Sequence, residues 1–144
     1  MYRGVAKSRG VFYDGVFTVA YRAGITLVTR NNQRVLFFRA RIPTFECIPG
    51  CHDCCGPVTT SSEEMARLPV KSEAEHEAAL ANFSCPHLGA QGCQVYAERP
   101  LICRLFGTTP RLACPRGMRP EVMIDAQIEQ QVFQFFEETR QVLV

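Results

Sequence analysis

All eight cysteines of this 144-residue chain lie between residues 47 and 114. Four form a tight group with the spacing C-x3-C-x2-C-C, and four follow at wider intervals. The eight are Cys47, Cys51, Cys54, Cys55, Cys85, Cys93, Cys103 and Cys114. Thiolates oxidise and scavenge metal ions, so a cysteine density this high indicates that the sulfur atoms have a specific function. We therefore expect the middle of the chain to fold around them.

Metal coordination is the first interpretation of this pattern. Cysteines two or three residues apart across a turn can direct both sulfurs to one zinc ion at about 2.3 Å, or to the irons of a cluster. We therefore expect all eight cysteines to be metal ligands. The expected cofactor is zinc or iron, an iron–sulfur cluster included. Cys54 and Cys55 are adjacent and their side chains point apart, so one of them is a candidate ligand of a second metal, or a packing or redox thiol.

Two other uses of the cysteines stay open at this stage. Eight cysteines can pair into disulfides in many ways, but thiols stay free in a reducing cytosol. A reactive thiol needs a lowered pKa, for example from a nearby cation, and Cys103 beside Arg104 is the candidate for one.

Four residues near the cysteines are candidates for supporting roles. His52 and His87 lie beside cysteines and could be ligands, although eight sulfurs already suffice for two tetrahedral sites. Arg99 and Arg104 are interleaved with the later cysteines, where guanidinium groups would balance the negative charge of thiolate sites. The cysteine spacing matches neither ferredoxin pattern, which favours structural zinc over an iron–sulfur cluster.

Further motifs accompany the cysteines. They are Gly56-Pro57-Val58, Cys85-Pro86-His87-Leu88 and Gly92-Cys93-x-Val95-Tyr96-x-x-Arg99-Pro100-x-x-Cys103-Arg104. In order and spacing, the stretch from Phe45 to Pro115 resembles the YkgJ-type cysteine-cluster family, also called the CxxCxxCC family. The resemblance implies a domain that chelates zinc or iron, and some members are labelled iron–sulfur proteins. The opening pair here is C-x3-C where the family name implies C-x2-C, which puts the geometry of the first site in question.

Residues 1–44 are expected to form a basic, β-like section or extension. Runs of β-branched and aromatic residues at 11–13, 16–21 and 25–29 predict a hairpin or meander, with a turn at Gly15. One more strand is predicted over Val35–Phe38. A poorly ordered extension is the alternative.

Residues 45–144 are expected to form the metal-binding domain, with short helices around the cysteines. Ser61 and Ser72 each precede a glutamate by three residues, a capping-box pattern that predicts helices over 61–68 and 72–82. A third helix is predicted over 95–105, broken or started at Pro100. Apolar residues recur at helical spacing through 120–144 and predict an amphipathic C-terminal helix. The fold class is α+β.

Charge and hydropathy limit the kinds of partner that the chain is expected to bind. Residues 1–46 carry eight Lys and Arg against two acids, and residues 47–144 carry eight against twelve, giving +6 and −4. The basic section has no run of consecutive basic residues, so we expect a solvated face and no nucleic-acid partner. No stretch reaches the roughly 20 apolar residues of a membrane span, and no signal-like segment opens the chain, so we expect no membrane contact and a cytoplasmic location. An unidentified protein, or a second copy bound through the C-terminal helix, is the candidate partner.

Catalysis is not predicted, because no Ser/His/Asp arrangement, phosphate-binding loop or paired-carboxylate motif occurs. Three functions stay open. The first is a metal-binding protein whose role is structural or regulatory. The second is an iron–sulfur electron carrier or cluster-dependent enzyme, and the third is a zinc-dependent nucleic-acid-binding module.

Overall fold

The computed structural model describes residues 11–13, 16–21 and 24–144. Its first elements are three antiparallel strands, β1 (Val11–Tyr13), β2 (Val16–Tyr21) and β3 (Gly24–Thr29), joined in the order β1-β2-β3. The predicted meander is therefore confirmed for these strands. The turn predicted at Gly15 lies outside the described residues.

The strand predicted over Val35–Phe38 is wrong, because these residues lie in a helix, α1 (Arg30–Arg41). Thr29 starts the helix as its N-cap, and its hydroxyl oxygen accepts a hydrogen bond of 3.0 Å from the Asn32 N–H. β-Branched and aromatic residues favour strands mainly by fitting a half-buried surface. This helix offers such a surface, because it buries Val35 and Phe38 and leaves Leu36 and Phe37 exposed.

The core is formed by α1 and two later helices, α4 (Leu101–Leu105) and α5 (Ala126–Glu138). Its buried members are Val35, Phe38, Ile42, Leu101, Leu105, Ile124, Val132 and Phe135. Phe38 and Phe135 meet edge to face, with ring centroids 5.8 Å apart. Burying a side chain of this size contributes about 1.5–3 kcal/mol, so this cluster anchors α4, the helix that carries Cys103. The predicted division between residues 44 and 45 stays a prediction.

The capping boxes place two short helices, α2 (Ser62–Met65) and α3 (Glu73–Ala81), where helices are predicted. The α2 helix starts as predicted but ends at Met65, three residues before the predicted end. A 3₁₀ turn over Tyr96–Glu98 precedes α4, and Pro100 separates the two, which confirms the predicted break. Two tiny strands, β5 (Leu88–Gly89) and β6 (Gly92–Cys93), form a hairpin before them.

The C-terminal helix is shorter than the sequence pattern predicts. α5 ends at Glu138, and a strand, β7 (Gln141–Leu143), follows and pairs antiparallel with β4 (Thr59–Ser61). The helical assignment of Val142 and Leu143 is therefore wrong. Thr139, in extended conformation, ends the helix, and its hydroxyl donates to the Phe135 carbonyl oxygen.

Helices and small antiparallel strand pairs together confirm the α+β class. The apolar face of α5 packs into the chain's own core, with Val132 and Phe135 fully buried. A homodimer through this helix stays a prediction. In the part of the chain that the structure describes, no helix has the length and apolar character needed to cross a membrane.

Candidate metal centre

All eight cysteines line one cavity of about 720 Å³. Each is partly buried and each is a free thiol. Most of the cavity wall comes from residues 45–58 and 85–106, and Leu68, Cys114 and Val144 complete it. Segments far apart in the sequence thus bring their sulfur atoms to one place.

The loop that carries Cys47, Cys51, Cys54 and Cys55 is called the first cysteine loop, and two consecutive turns shape it. The Cys51 N–H donates to the Ile48 carbonyl oxygen at 3.0 Å, and the Cys55 N–H donates to the His52 carbonyl oxygen at 2.9 Å. Pro49 and Gly50 occupy the centre of the first turn, and Gly50 has a φ of +74°. Proline followed by a residue with positive φ is the signature of a type II turn. The chain therefore reverses twice within nine residues, and the four sulfurs of this loop stay on the cavity wall.

The β5–β6 hairpin carries Cys93, and Cys85 lies just before it. Cys93 pairs with Leu88 across the hairpin, and the Leu88 N–H donates to the Cys85 carbonyl oxygen at 3.0 Å. Gly92 has a φ of +105°, and a Cβ atom added there would lie 3.4 Å from the Cα of Gly50. The hairpin therefore contacts the first cysteine loop at Gly92, where the positive φ favours glycine.

Cys103 lies on α4 and is the deeper of the two remaining thiols. Burial raises the pKa of Cys103 to about 12, and the neighbouring charges of Cys85, Cys93 and Cys54 act in the same direction. A thiol in this setting stays protonated at neutral pH unless a cation replaces its proton.

An ion pair joins the loop of Cys114 to the first cysteine loop. Arg116 donates its backbone N–H to the Cys114 sulfur at 3.4 Å, and its guanidinium Nε binds the carboxylate of Asp53. Hydrogen bonding and charge from Arg116 lower the pKa of Asp53. Asp53 lies next to Cys54, so the ion pair ties two sulfur-bearing loops together.

A hydrogen bond links the adjacent thiols of Cys54 and Cys55. This bond lowers the pKa of Cys54, with a smaller contribution from the positive charge of Arg99. The same bond, together with burial, raises the pKa of Cys55.

The remaining charge interactions favour two overlapping neighbourhoods of sulfurs, which meet at Cys54 because its charge also raises the pKa of Cys55 and Cys103. Burial raises the pKa of Cys47, and so do the charges of Cys51, Cys54 and Cys114. Burial also raises the pKa of Cys85, and the charge of Cys93 adds to it. We name Cys47, Cys51, Cys54 and Cys114 the first sulfur group, and Cys55, Cys85, Cys93 and Cys103 the second sulfur group.

The donor set fits zinc or iron. Among the described residues, no three Cys, His, Asp or Glu side chains are already arranged to hold one ion. A cysteine sulfur is only one rotatable bond from the backbone, so rotation between staggered χ1 positions can redirect it without moving the chain. Thiolates are the ligands that zinc and iron–sulfur clusters prefer, and eight of them share this wall.

The two candidate histidines differ sharply in position. His87 is 1% exposed and lies on the cavity wall, whereas His52 is exposed and is not among the lining residues. Burial lowers the pKa of His87. Its Nδ1 atom has no hydrogen-bond partner, and it is the only such buried side-chain nitrogen or oxygen in the described part of the chain. An unsatisfied buried polar atom costs about 1–3 kcal/mol.

The two candidate arginines also differ. Arg99 lines the cavity, and its guanidinium lies 3.9 Å from the ring centroid of Tyr96. Arg104 is not among the lining residues, and its guanidinium donates to the carbonyl oxygens of Arg99 at 3.0 Å and Ala97 at 2.6 Å. Arg104 therefore holds the backbone beside Arg99 and does not face the sulfurs.

Three further residues at the site, Asp53, Arg116 and Val144, are not among the predicted site residues. Asp53 and Arg116 carry opposite charges close to Cys54 and Cys114, and that pattern was the available signal for their pairing. Val144 also lines the cavity, where its N–H donates to the Val58 carbonyl oxygen at 3.0 Å. No local pattern marks Val144, since it depends on pairing between β4 and β7.

Comparison with known proteins gives one match. The family model CxxCxxCC, described as "Putative zinc- or iron-chelating domain", matches residues 46–136. This span is well over half of the chain and includes all eight cysteines, so it confirms the resemblance to that family. No curated protein and no solved structure matches the chain.

Proposed function

Because the chain belongs to the CxxCxxCC family of zinc- or iron-chelating domains, we propose that its eight cysteines bind zinc or iron in the cavity that they line. The observation that carries this proposal is the convergence of all eight sulfurs on one wall, although they are spread from residue 47 to residue 114. Thiols gathered only for packing would have no reason to share a single cavity.

Each sulfur group would hold one ion. The Asp53–Arg116 ion pair supports the first group, because it links the loops of Cys54 and Cys114. The β5–β6 hairpin supports the second, because it sets Cys93 opposite Leu88, whose N–H binds the Cys85 carbonyl oxygen. A bound cation would supply positive charge where neighbouring thiolates repel one another.

The role that we propose for the metal is structural, with zinc as the ion. A closed site with four protein ligands leaves no position for a substrate, and zinc sites of this type join loops that have little core of their own. Much of the first cysteine loop has that character: from Phe45 to Gly56 it contains no helix or strand, and Ile48, Pro49 and Gly50 are exposed.

An iron–sulfur cluster is the second candidate, and the shared cavity favours it. A cluster also takes four thiolates but fills more space than a single ion, and a cavity of about 720 Å³ can accept it. Apolar side chains such as Phe45, Val95 and Phe106 line the same cavity and would limit contact of a cluster with water. The function would then be electron transfer or cluster-dependent catalysis.

Elemental analysis with an absorption spectrum, on protein purified without oxygen, tests the proposal. Two equivalents of zinc and no visible absorption are the expected result. Brown protein that contains iron and acid-labile sulfide would contradict structural zinc and support the iron–sulfur cluster. Metal-free protein whose thiols are all titratable, and which takes up neither zinc nor iron, would contradict metal binding itself.

A further inference from the structure

A buried histidine shares the cavity wall with the sulfurs. His87 is 1% exposed, and it lies in the turn between Cys85 and β5. Its Nδ1 has no hydrogen-bond partner, while every other buried side-chain nitrogen or oxygen among the described residues has one. Buried polar atoms are nearly always satisfied, so an unpaired nitrogen on a residue that lines the cavity of the cysteines marks a place where a ligand can bind.

We propose that Nδ1 of His87 is a direct ligand of the metal in the second sulfur group, an inference that rests on the proposed function of the cavity. The backbone places His87 two residues after Cys85 and next to Leu88, which pairs with Cys93. The Gln94 N–H donates to the His87 carbonyl oxygen at 2.9 Å and fixes the residue against the hairpin. The residue is thus fixed between Cys85 and Cys93, two sulfur-bearing positions of one group.

The second metal site then has a mixed ligand set. A tetrahedral ion takes four ligands, so one nitrogen replaces one sulfur. Cys55 is the cysteine that stays outside, because its immediate neighbour Cys54 belongs to the first sulfur group. The ligands of the second site become Cys85, Cys93, Cys103 and His87.

His52 provides a matched control within the same chain. It stands inside the first cysteine loop, where its sequence position suggests a ligand at least as strongly as that of His87. Its side chain is exposed and is not part of the cavity wall, and its Nδ1 lies 3.4 Å from the Gly50 carbonyl oxygen. The structure therefore separates two histidines that the sequence does not.

Nuclear magnetic resonance of the full chain loaded with cadmium-113 alone tests the inference. Cadmium replaces zinc at thiolate sites, and its chemical shift distinguishes four sulfurs from three sulfurs and one nitrogen. We expect two signals, one of each kind, and scalar coupling from the second signal to the ring protons of a single histidine through Nδ1. His87→Phe keeps an aromatic ring without a donor nitrogen and should abolish the coupling, whereas His52→Phe should retain it.

The outcomes separate this inference from the proposed function. Cadmium signals of the four-sulfur type only would overturn the role of His87 and leave metal binding by the cysteines intact. A coupling lost in His52→Phe, or one through Nε2, would also overturn it. Failure of the wild-type chain to bind cadmium, zinc or iron would remove the proposed function instead. Should His87→Phe not fold, a coupling that persists in both His52→Phe and His76→Phe assigns it to His87, since the chain has three histidines.

Discussion

The carboxylate of Glu64 accepts a hydrogen bond of 2.6 Å from the backbone N–H of Leu101. Glu64 belongs to the capping box of α2 and is 3% exposed, and Leu101 is the first residue of α4. The second carboxylate oxygen accepts hydrogen bonds from the hydroxyls of Thr60 at 2.6 Å and Ser61 at 2.8 Å. One buried side chain therefore connects the start of α2, strand β4 and the helix that carries Cys103.

Replacing Glu64 with alanine should destabilise the protein by about 2–4 kcal/mol, because several buried donors lose their acceptor at once. Urea unfolding of the metal-free chain measures the change. Glu75 is the matched control, since it closes the same type of capping box on α3 but is exposed to solvent. Equal effects of Glu64→Ala and Glu75→Ala would show that the link to Leu101 contributes nothing.

Single cysteine replacements should separate the two sulfur groups. Cys51→Ser and Cys103→Ser each remove one thiolate ligand, so each should lower the bound metal by about one equivalent and lower the melting temperature of the loaded protein. The double variant should lose both equivalents. Metal content is measured by elemental analysis after dialysis. If either single variant keeps its full metal content, the corresponding group is not a metal site.

The ion pair between Asp53 and Arg116 should slow metal release. Residues that hold ligand loops in place typically change metal affinity by about 10–100-fold, so Asp53→Asn should speed transfer of zinc to a chelator by about tenfold or more. Arg116→Gln should have the same effect, and the double variant should add nothing further. Arg111→Gln is the control, because Arg111 stacks on Phe133 outside the cavity. Additive effects of the two replacements would contradict the pairing.

The contact of Glu138 with Arg34 gives a prediction on pH. Arg34 donates to the Glu138 carboxylate at 2.8 Å and, with Gln134, lowers the pKa of Glu138. Since the folded pKa lies below the unfolded value of about 4.3, the contact stabilises the fold above that pH, and its contribution is lost as pH falls through the folded pKa.

Carbon NMR of the Glu138 carboxyl group measures this pKa directly. Arg34→Gln should move it up towards 4.3. Arg41→Gln should leave it unchanged, because Arg41 lies on the same helix but stacks on Phe37. A Glu138 pKa that is the same with and without Arg34 would show that the ion pair does not form in solution.

The parts of the fold that the sequence predicted correctly depend on local signals. The capping boxes at Ser61 and Ser72 set the starts of α2 and α3 with contacts that span only three residues. The errors fall where distant residues decide. Val35–Phe38 has the composition of a strand but is helical, and the helix packs Val35 and Phe38 against α4 and α5. Val142 continues a helical spacing but pairs instead with Thr60, a residue more than eighty positions earlier.

In the candidate site too, local features could be predicted from the sequence, whereas features that depend on distant residues could not. Cysteine spacing was enough to predict that the chain folds around the eight cysteines, and all eight line one cavity. It could not assign the sulfurs to groups, because the approach of Gly92 to Gly50 and the pairing of Asp53 with Arg116 bring together segments far apart in the chain. Nor could the spacing decide which of His52 and His87 is the better candidate ligand, because the two histidines differ in burial, which depends on the tertiary structure.

The cavity wall contains pieces from both ends of the cysteine-bearing segment, and this has a consequence for binding strength. Folding holds Cys47 and Cys114 at the same cavity. Once one cysteine has bound an ion, the effective concentration of the other is therefore higher than it would be on a separate peptide. A peptide covering only residues 45–58 keeps half of the thiols and loses that advantage. The affinity of the intact chain for metal is therefore a property of its tertiary structure, and any variant that loosens the core should reduce it even without touching a cysteine.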